Sequence, residues 1–156
     1  MCFENSPIIS RYTRAQAIAD GIIVDITTAK DDRGQLLCQE AGLKVPVAIT
    51  RTAWAKTVEA GGTWKPTGDG DALELKGGQS LTGRLWDVLW MLRLACGRAS
   101  NTDRVHFEVL VDVLGNGRHN LVKLWGVLRT WRRRPACYLD HARRRRLRHF
   151  NQFRPQ

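Results

Sequence analysis

Two stretches of the chain decide the fold. Residues 81–98 read LTGRLWDVLWMLRLACGR and residues 105–113 read VHFEVLVDV. In the first stretch, apolar residues recur at spacings of three and four, which predicts a helix capped by Ser80. Because Trp86 and Trp90 add a second apolar stripe, this helix is expected to lie in the middle of a domain. The second stretch alternates apolar and polar residues, which is the period of a strand.

A hairpin is predicted directly after this strand. The sequence Gly115-Asn116-Gly117 supplies residues that tolerate the positive φ of a tight turn. Residues 121–128 are then expected to return antiparallel to 105–113. Their alternation places one set of side chains together on one face of that strand: Leu121, Lys123, Trp125 and Val127.

The elements before residue 60 are predicted to be short. Thr13 and Gln16 have the spacing of a capping box, which predicts a helix over 14–20 that Gly21 ends. The β-branched run 22–27 predicts a strand. Two further helices are expected, over residues 35–41 and 50–59. Residues 45–49 are predicted to be extended, and Pro46 favours a sheet edge or a path outside the sheet.

A glycine-rich stretch separates this part from the long helix. Residues 61–79 contain six glycines and one proline, and they predict a flexible loop. Trp64 is the aromatic residue within this loop. It could anchor the loop to the body of the domain, or it could be an exposed residue that binds a partner protein.

The order of these elements predicts the fold class α+β. Residues 1–129 are expected to form one domain in which a small antiparallel or mixed sheet packs on a long central helix. Residues 130–156 are expected to form an arginine-rich C-terminal extension. Within it, residues 136–150 could be a helix that forms on binding.

Charge is distributed unevenly along the chain. The 156 residues carry 25 lysines and arginines against 15 acidic residues, a formal net charge of +10. Residues 130–156 contain nine arginines and one acidic residue, Asp140, so +8 of this charge lies there. The first 129 residues are nearly neutral. A positive balance of this size excludes a protein that mimics DNA, which would need an acidic surface.

The sequence predicts a soluble protein of a cytoplasm. No apolar run approaches the roughly 20 residues that a membrane-spanning helix needs. Residues 1–10 lack the basic start and the apolar stretch of a secretory signal. Cysteines stand at positions 2, 38, 96 and 137 without a Cys-x-x-Cys pair, so they are expected to be reduced thiols.

The arginine-rich extension is the candidate nucleic-acid-binding site. Guanidinium groups suit phosphate oxygens, and neighbouring aromatic rings such as Trp131 could stack on exposed bases. The predicted phosphate-binding residues are Arg132, Arg133, Arg134, Arg143, Arg144, Arg145, Arg146 and Arg148. An acidic protein partner and a solvated terminus without a specific role are the alternatives.

Enzymatic chemistry has weaker support in the sequence. Asp87 lies three residues after Arg84 on the long helix and could be a general acid or base. The structural alternatives are an internal ion pair or an Asp87 that fixes a neighbouring backbone loop. Asp25, at the end of the first strand, is the other candidate carboxylate. His106 and Glu108 share a strand face but would need a third ligand to hold a metal. We therefore expect no catalytic site, no metal and no cofactor.

Three blocks of sequence resemble a small uncharacterised bacterial family. They are residues 9–21 (ISRYTRAQAIADG), residues 45–51 (VPVAITR) with Trp54, and residues 83–91 (GRLWDVLWM). The resemblance covers residues 9–129. It implies carriage on conjugative plasmids and other mobile elements, where neighbouring genes often counter host defence. Members of that family end near the hairpin, so the resemblance does not cover the arginine-rich extension.

Charge and resemblance together lead to one functional hypothesis. The chain is expected to be a non-enzymatic inhibitor of a host defence system, of the anti-CRISPR type. It would bind stoichiometrically to a nucleoprotein complex or to its RNA or DNA. The alternatives are an accessory DNA- or RNA-binding protein of plasmid maintenance or transfer, and a small enzyme that uses a buried aspartate.

Overall fold

The computed structural model describes residues 13–99, 102–131 and 134–141, with the backbone alone for residues 129–131, 134 and 135. The helices are α1 Arg14–Ala19, α2 Leu37–Glu40, α3 Arg51–Thr57 and α4 Leu81–Arg98, with a 3₁₀ turn at Lys76–Gly78. The strands are β1 Ile23–Asp25, β2 Val47–Thr50, β3 Thr63–Thr67, β4 Gly70–Glu74, β5 Arg104–Val111, β6 Asn120–Trp131 and β7 Arg134–His141.

Five of these strands form one mixed sheet. Their order is β1-β2-β7-β6-β5, and β3 pairs with β4 in a separate hairpin. Neighbouring strands are antiparallel, except that β2 and β7 run parallel. The predicted α+β class is therefore confirmed, with a sheet of the mixed kind. Within the described ranges, no helix has both the length and the apolar character needed to cross a membrane.

Local signals in the sequence place two helices correctly. Thr13 and Gln16 form the predicted capping box: Gln16 N donates to Thr13 Oγ1 at 3.2 Å and Thr13 N donates to Gln16 Oε1 at 2.7 Å. Helix α4 has its predicted bounds, and Gly83 N donates to the Ser80 hydroxyl at 3.0 Å. In both places the cap satisfies a backbone N–H that has no partner inside the helix.

The main core lies between α4 and the sheet. Val88, Leu89 and Leu92 of α4 are completely buried, and they belong to the same cluster as Leu124 and Leu139 of the sheet. The close approach of helix and sheet leaves little room for a side chain at residue 126. A Cβ atom at Gly126 of β6 would lie 3.0 Å from Leu92 Cδ1 and 3.3 Å from Leu139 Cδ2.

The largest departure from the sequence prediction is β7. The C-terminal extension was expected to be helical, but Arg134–His141 is a strand between β2 and β6. The helical prediction is therefore wrong for these residues, and the sheet continues beyond residue 129. The physical reason is that Cys137 and Leu139 alternate into the core while the backbone pairs on both sides. The predicted helix beyond residue 141 falls outside the described residues.

Two smaller predictions are also corrected. Residues 61–79 are not an irregular loop, because β3 and β4 pair within them through five residues each. Pro46 does not mark an edge, because it immediately precedes β2, and β2 lies between β1 and β7. The carbonyl oxygen of Pro46 accepts a hydrogen bond from Cys137 N at 2.8 Å. Pro46 therefore pairs with β7 through its carbonyl, the only hydrogen-bonding group that a proline backbone has.

A buried arginine joins three connections around the start of α4. Arg84 is only 6% exposed. Its guanidinium donates to the Gln79 side chain at 2.8 Å, to the Asp112 carbonyl at 2.7 Å, and to the Ala60 and Val58 carbonyls. Burial lowers the pKa of this guanidinium, and the charge of Asp112 opposes that shift. The predicted ion pair with Asp87 is therefore replaced by neutral carbonyl acceptors.

We expect Arg84→Met to lower the free energy of unfolding by about 3 kcal/mol, because it leaves several buried carbonyl oxygens without donors. Urea unfolding followed by circular dichroism measures the change. Arg93→Met is the matched control, because Arg93 is exposed on the same helix. Equal unfolding midpoints for the two variants would show that the carbonyl contacts of Arg84 contribute nothing to stability.

Candidate nucleic-acid interface

The sheet has a second face on the side away from α4. Along β5, β6 and β7 the side chains alternate between the α4 core and this side, which we call the outer face. Helix α1 covers one end of it, where Ala17 packs with Ile23 and Ala48. Tyr138 of β7 packs against this cluster. The remainder of the outer face is formed by other residues of β5 to β7: Arg104, His106, Glu108, Leu110, Leu121, Lys123, Trp125, Val127 and Asp140.

Trp125 lies in the middle of this surface. The guanidinium carbon of Arg104 lies 4.8 Å from the centre of the Trp125 ring, which is a cation–π contact. Lys123, two residues away on the same strand face, is exposed and forms an ion pair with Glu108 at 3.3 Å. Tyr138 of β7 is half-buried and lies next to Val127 in register. The outer face thus combines aromatic rings with cationic side chains.

Strand β7 sets where the two basic stretches join the sheet. Trp131 and Arg134 are paired at the end of the β6–β7 ladder, and Arg132 and Arg133 stand between them in the sequence. Arg143 to Arg146 and Arg148 follow the other end of β7. The strand has eight residues, so its ends are separated by about 23 Å.

The predicted nucleic-acid-binding residues divide into two with a described backbone and seven outside the described residues. Arg134 and Trp131 have their backbones in β7 and β6. The others lie outside the described residues: Arg132, Arg133, Arg143, Arg144, Arg145, Arg146 and Arg148. Their contact with nucleic acid therefore stays a prediction.

Trp64, the predicted partner-binding residue, lies in β3 opposite Leu73. Its side chain is 58% exposed, so it is accessible to a partner. The β3–β4 hairpin also has an ion pair between Lys65 and Glu74. A role for Trp64 in partner binding stays a prediction.

The two candidate catalytic carboxylates lie apart from each other. Asp25 accepts from Thr27 Oγ1 at 2.6 Å and pairs with Arg14 at 2.8 Å. Burial acts to raise the pKa of Asp25, but the hydrogen bonds from Thr27 and Arg14 outweigh it, so the pKa lies below its ordinary value. Asp87 lies on the exposed side of α4, and partial desolvation raises the pKa of its carboxyl. Asp25 thus belongs to the contact between α1 and the sheet.

Most of the space between α4 and the sheet, where the enzyme hypothesis would place a pocket, is filled by apolar side chains. A groove of about 470 Å³ remains at the β5 edge, between the C-terminal half of α4 and residues 104–108. Among the residues that the structure describes, no three His, Cys, Asp or Glu side chains come together as metal ligands. His106 and Glu108 are exposed on the outer face, as their strand period predicted. Cys38, Cys96 and Cys137 are free thiols. Burial raises the pKa of Cys38 to about 11 and that of Cys137 to about 12.

The sequence interpretation did not select Arg104, Lys123 or Trp125 as functional residues. Core packing is the default expectation for an aromatic residue on an alternating strand. The useful signal was the alternation itself, which groups Lys123 with Trp125 on one face of β6. The alternation does not show where α4 packs, and the position of α4 determines which face of β6 is covered.

Comparison with known proteins gives a family but no activity. Neither a curated protein nor a solved structure matches the chain. Residues 1–123 match a family of unknown function, DUF6573. Because this match spans most of the 156 residues, the chain belongs to the family of unknown function DUF6573.

Proposed function

We propose that this chain binds nucleic acid through the outer face of its sheet and the two arginine-rich stretches that flank β7. The observation that carries the proposal is the position of Trp125. Its ring lies on the outer face, opposite Asp140 of β7 in register, with the Arg104 guanidinium 4.8 Å from its centre. Aromatic rings on a sheet, beside cationic side chains, suit unstacked bases and their phosphates.

Electrostatics supports the same ligand. Residues 130–156 carry a net charge of +8, which favours a polyanion. On the outer face the described cations are partly balanced by Glu108 and Asp140. The arginine-rich stretches would therefore supply most of the affinity, and the sheet would supply base stacking. This division suits single-stranded segments or RNA loops better than regular duplex, in which bases are already stacked.

We further propose that the nucleic acid belongs to a host defence system, which the chain would inhibit in the manner of an anti-CRISPR protein. The support for this target is the sequence resemblance to a family carried on mobile elements. Binding rather than catalysis is proposed, since apolar side chains fill the core between α4 and the sheet, and neither Asp25 nor Asp87 lines the groove at the β5 edge. A bacterial host cytoplasm is the compartment in which such a target is found.

The first test removes charge without removing a strand. Deleting residues 130–156 would also delete β7, so a variant with Gln at Arg143 to Arg146 and Arg148 is preferable. We expect weaker binding to single-stranded RNA, and a plot of log K against log salt that is shallower by about 3 to 4. Fluorescence anisotropy over a salt series measures both. A variant with Gln at Arg33, Arg51 and Arg93 is the control for exposed charge elsewhere, and an unchanged slope in the five-Gln variant would contradict the proposal.

The second test addresses the sheet. Loss of base stacking in Trp125→Ala is expected to weaken RNA binding by about tenfold, since one stacked base contributes about 1–3 kcal/mol. Trp125→Phe should retain most of the affinity. Trp90→Ala removes a tryptophan that is 45% exposed on α4 and should bind like the unmodified chain. Equal binding by all three variants would exclude the outer face, provided that thermal melts show each one folded.

The third test addresses the target. A tagged chain is incubated with host lysate, and the bound material is compared with and without nuclease treatment. We expect capture of a defence nucleoprotein complex that nuclease treatment reduces. Capture that survives nuclease would indicate a protein partner. Binding to naked duplex of any sequence, unaffected by a defence complex, would instead favour an accessory protein of plasmid maintenance or transfer.

A further inference from the structure

One edge of the five-stranded sheet is long and regular. Strand β5 has eight residues and pairs with β6 in an unbroken register from Arg104–Val127 to Val111–Asn120. The opposite edge, β1, has three residues. An edge strand without proline, bulge or covering element leaves peptide groups available to another strand. Among the described elements, β5 has its extensive contacts with β6 and α4 only.

The hydrogen-bond pattern shows which peptide groups of β5 point outward. Leu128 N donates to the Asp103 carbonyl at 2.8 Å, so positions 103 and 128 form a hydrogen-bonded pair. Such pairs alternate along an antiparallel ladder. The N–H and C=O groups of Arg104, His106 and Glu108 therefore point away from β6. In agreement, the Thr102 hydroxyl contacts both the N–H and the C=O of Arg104, at 3.2 and 2.9 Å.

We propose that β5 pairs antiparallel with β5 of a second copy of this chain, about a two-fold axis at His106. This register matches outward-facing residues with outward-facing residues. It places Arg104 opposite Glu108 of the second copy, and Glu108 opposite its Arg104. The Thr102 hydroxyl would exchange its contacts with Arg104 for those of the partner strand. Two five-stranded sheets would become one sheet of ten.

Charge complementarity selects this occupant and this register. The outer-face side chains at 104, 106 and 108 are cationic, imidazole and anionic, in that order. An antiparallel copy centred on residue 106 presents the reverse order, so both charged pairs are attractive. A register centred on Glu108 would place two carboxylates opposite each other. A second copy of the chain thus supplies a β5 strand of equal length whose charges run in the opposite order.

A groove beside the same edge, lined by apolar side chains and by Arg98, Arg104, His106 and Glu108, adds contact area. It has a volume of about 470 Å³ and runs between the C-terminal half of α4 and residues 104–108. Met91, Leu94 and Ala95 line its helix side, and Leu94 is 37% exposed. Because the two-fold axis passes through residues 104–108, both copies bring this apolar strip to the seam. Strand pairing alone buries little surface, and a stable dimer needs roughly 1,200 Å² or more.

The inference does not depend on nucleic-acid binding, and its test uses the oligomeric state. Sedimentation equilibrium of the full chain should give twice the 17.7 kDa of one chain. Arg104→Glu and Glu108→Arg each place like charges opposite each other, so each should weaken the dimer at least tenfold. The double variant, R104E with E108R, restores opposite charges and should restore the dimer. A monomer at every concentration would overturn the proposal. The candidate partner of β5 would then be a strand of a different protein.

A cross-link tests the register separately. In a background with Ser at Cys2 and Cys96, His106→Cys places two thiols across the axis, with Cα atoms about 5.5 Å apart. This separation allows a disulfide, so mild oxidation should yield a covalent dimer. Leu110→Cys is the control, because residue 110 lies opposite residue 102 in this register. Dimers that form without the 106–106 cross-link, or that resist both charge reversals, would place the interface elsewhere and overturn the proposal.

Discussion

The architecture depends most on the contact between the buried guanidinium of Arg84 and neutral carbonyl oxygens. The guanidinium of Arg84 binds the carbonyl of Asp112, at the end of β5, and carbonyls directly after α3. These segments lie 24 to 28 residues from Arg84 in sequence. No short-range signal brings them together. The position of α4 over the sheet depends on this one side chain as well as on apolar packing.

The same contact shows why a charged residue can occupy the core. A buried arginine without partners would be strongly destabilising, but planar N–H donors suit several carbonyl oxygens at once. The acceptor carbonyls lie in connecting segments, where they are not needed for the hydrogen bonds of a strand or a helix. Asp112 is held in turn, because its carboxylate accepts from the backbone N–H groups of Gly115 and Gly117 at 2.7 and 2.8 Å. The β5–β6 turn and the start of α4 are thereby linked through Asp112.

Sequence patterns predicted the elements whose signals are local. The cap at Ser80, the capping box at Thr13 and the alternation of β5 each act within a few residues, and each was recovered. Strand β7 was missed because its residues lie between arginine runs, and charge runs are typical of solvated segments. What makes Arg134–His141 a strand is its pairing with β2, about 90 residues earlier. The candidate interface was missed in part for the same reason, since the side of the sheet that Trp125 faces depends on where α4 packs.

The position of β7 has a consequence for how the chain folds. Strands β1 and β2 form one ladder, β5 and β6 form another, and no pairing other than that of β7 joins them in the described sheet. The two ladders can form early from nearby residues, whereas the parallel pairing of β7 closes a long segment and costs more chain entropy. Closure of the sheet is then expected to limit the folding rate. The two ends of β7, which the arginine-rich stretches follow and precede in the sequence, become fixed about 23 Å apart only at that step, so a polyanion site of the proposed kind would exist only after the sheet has closed.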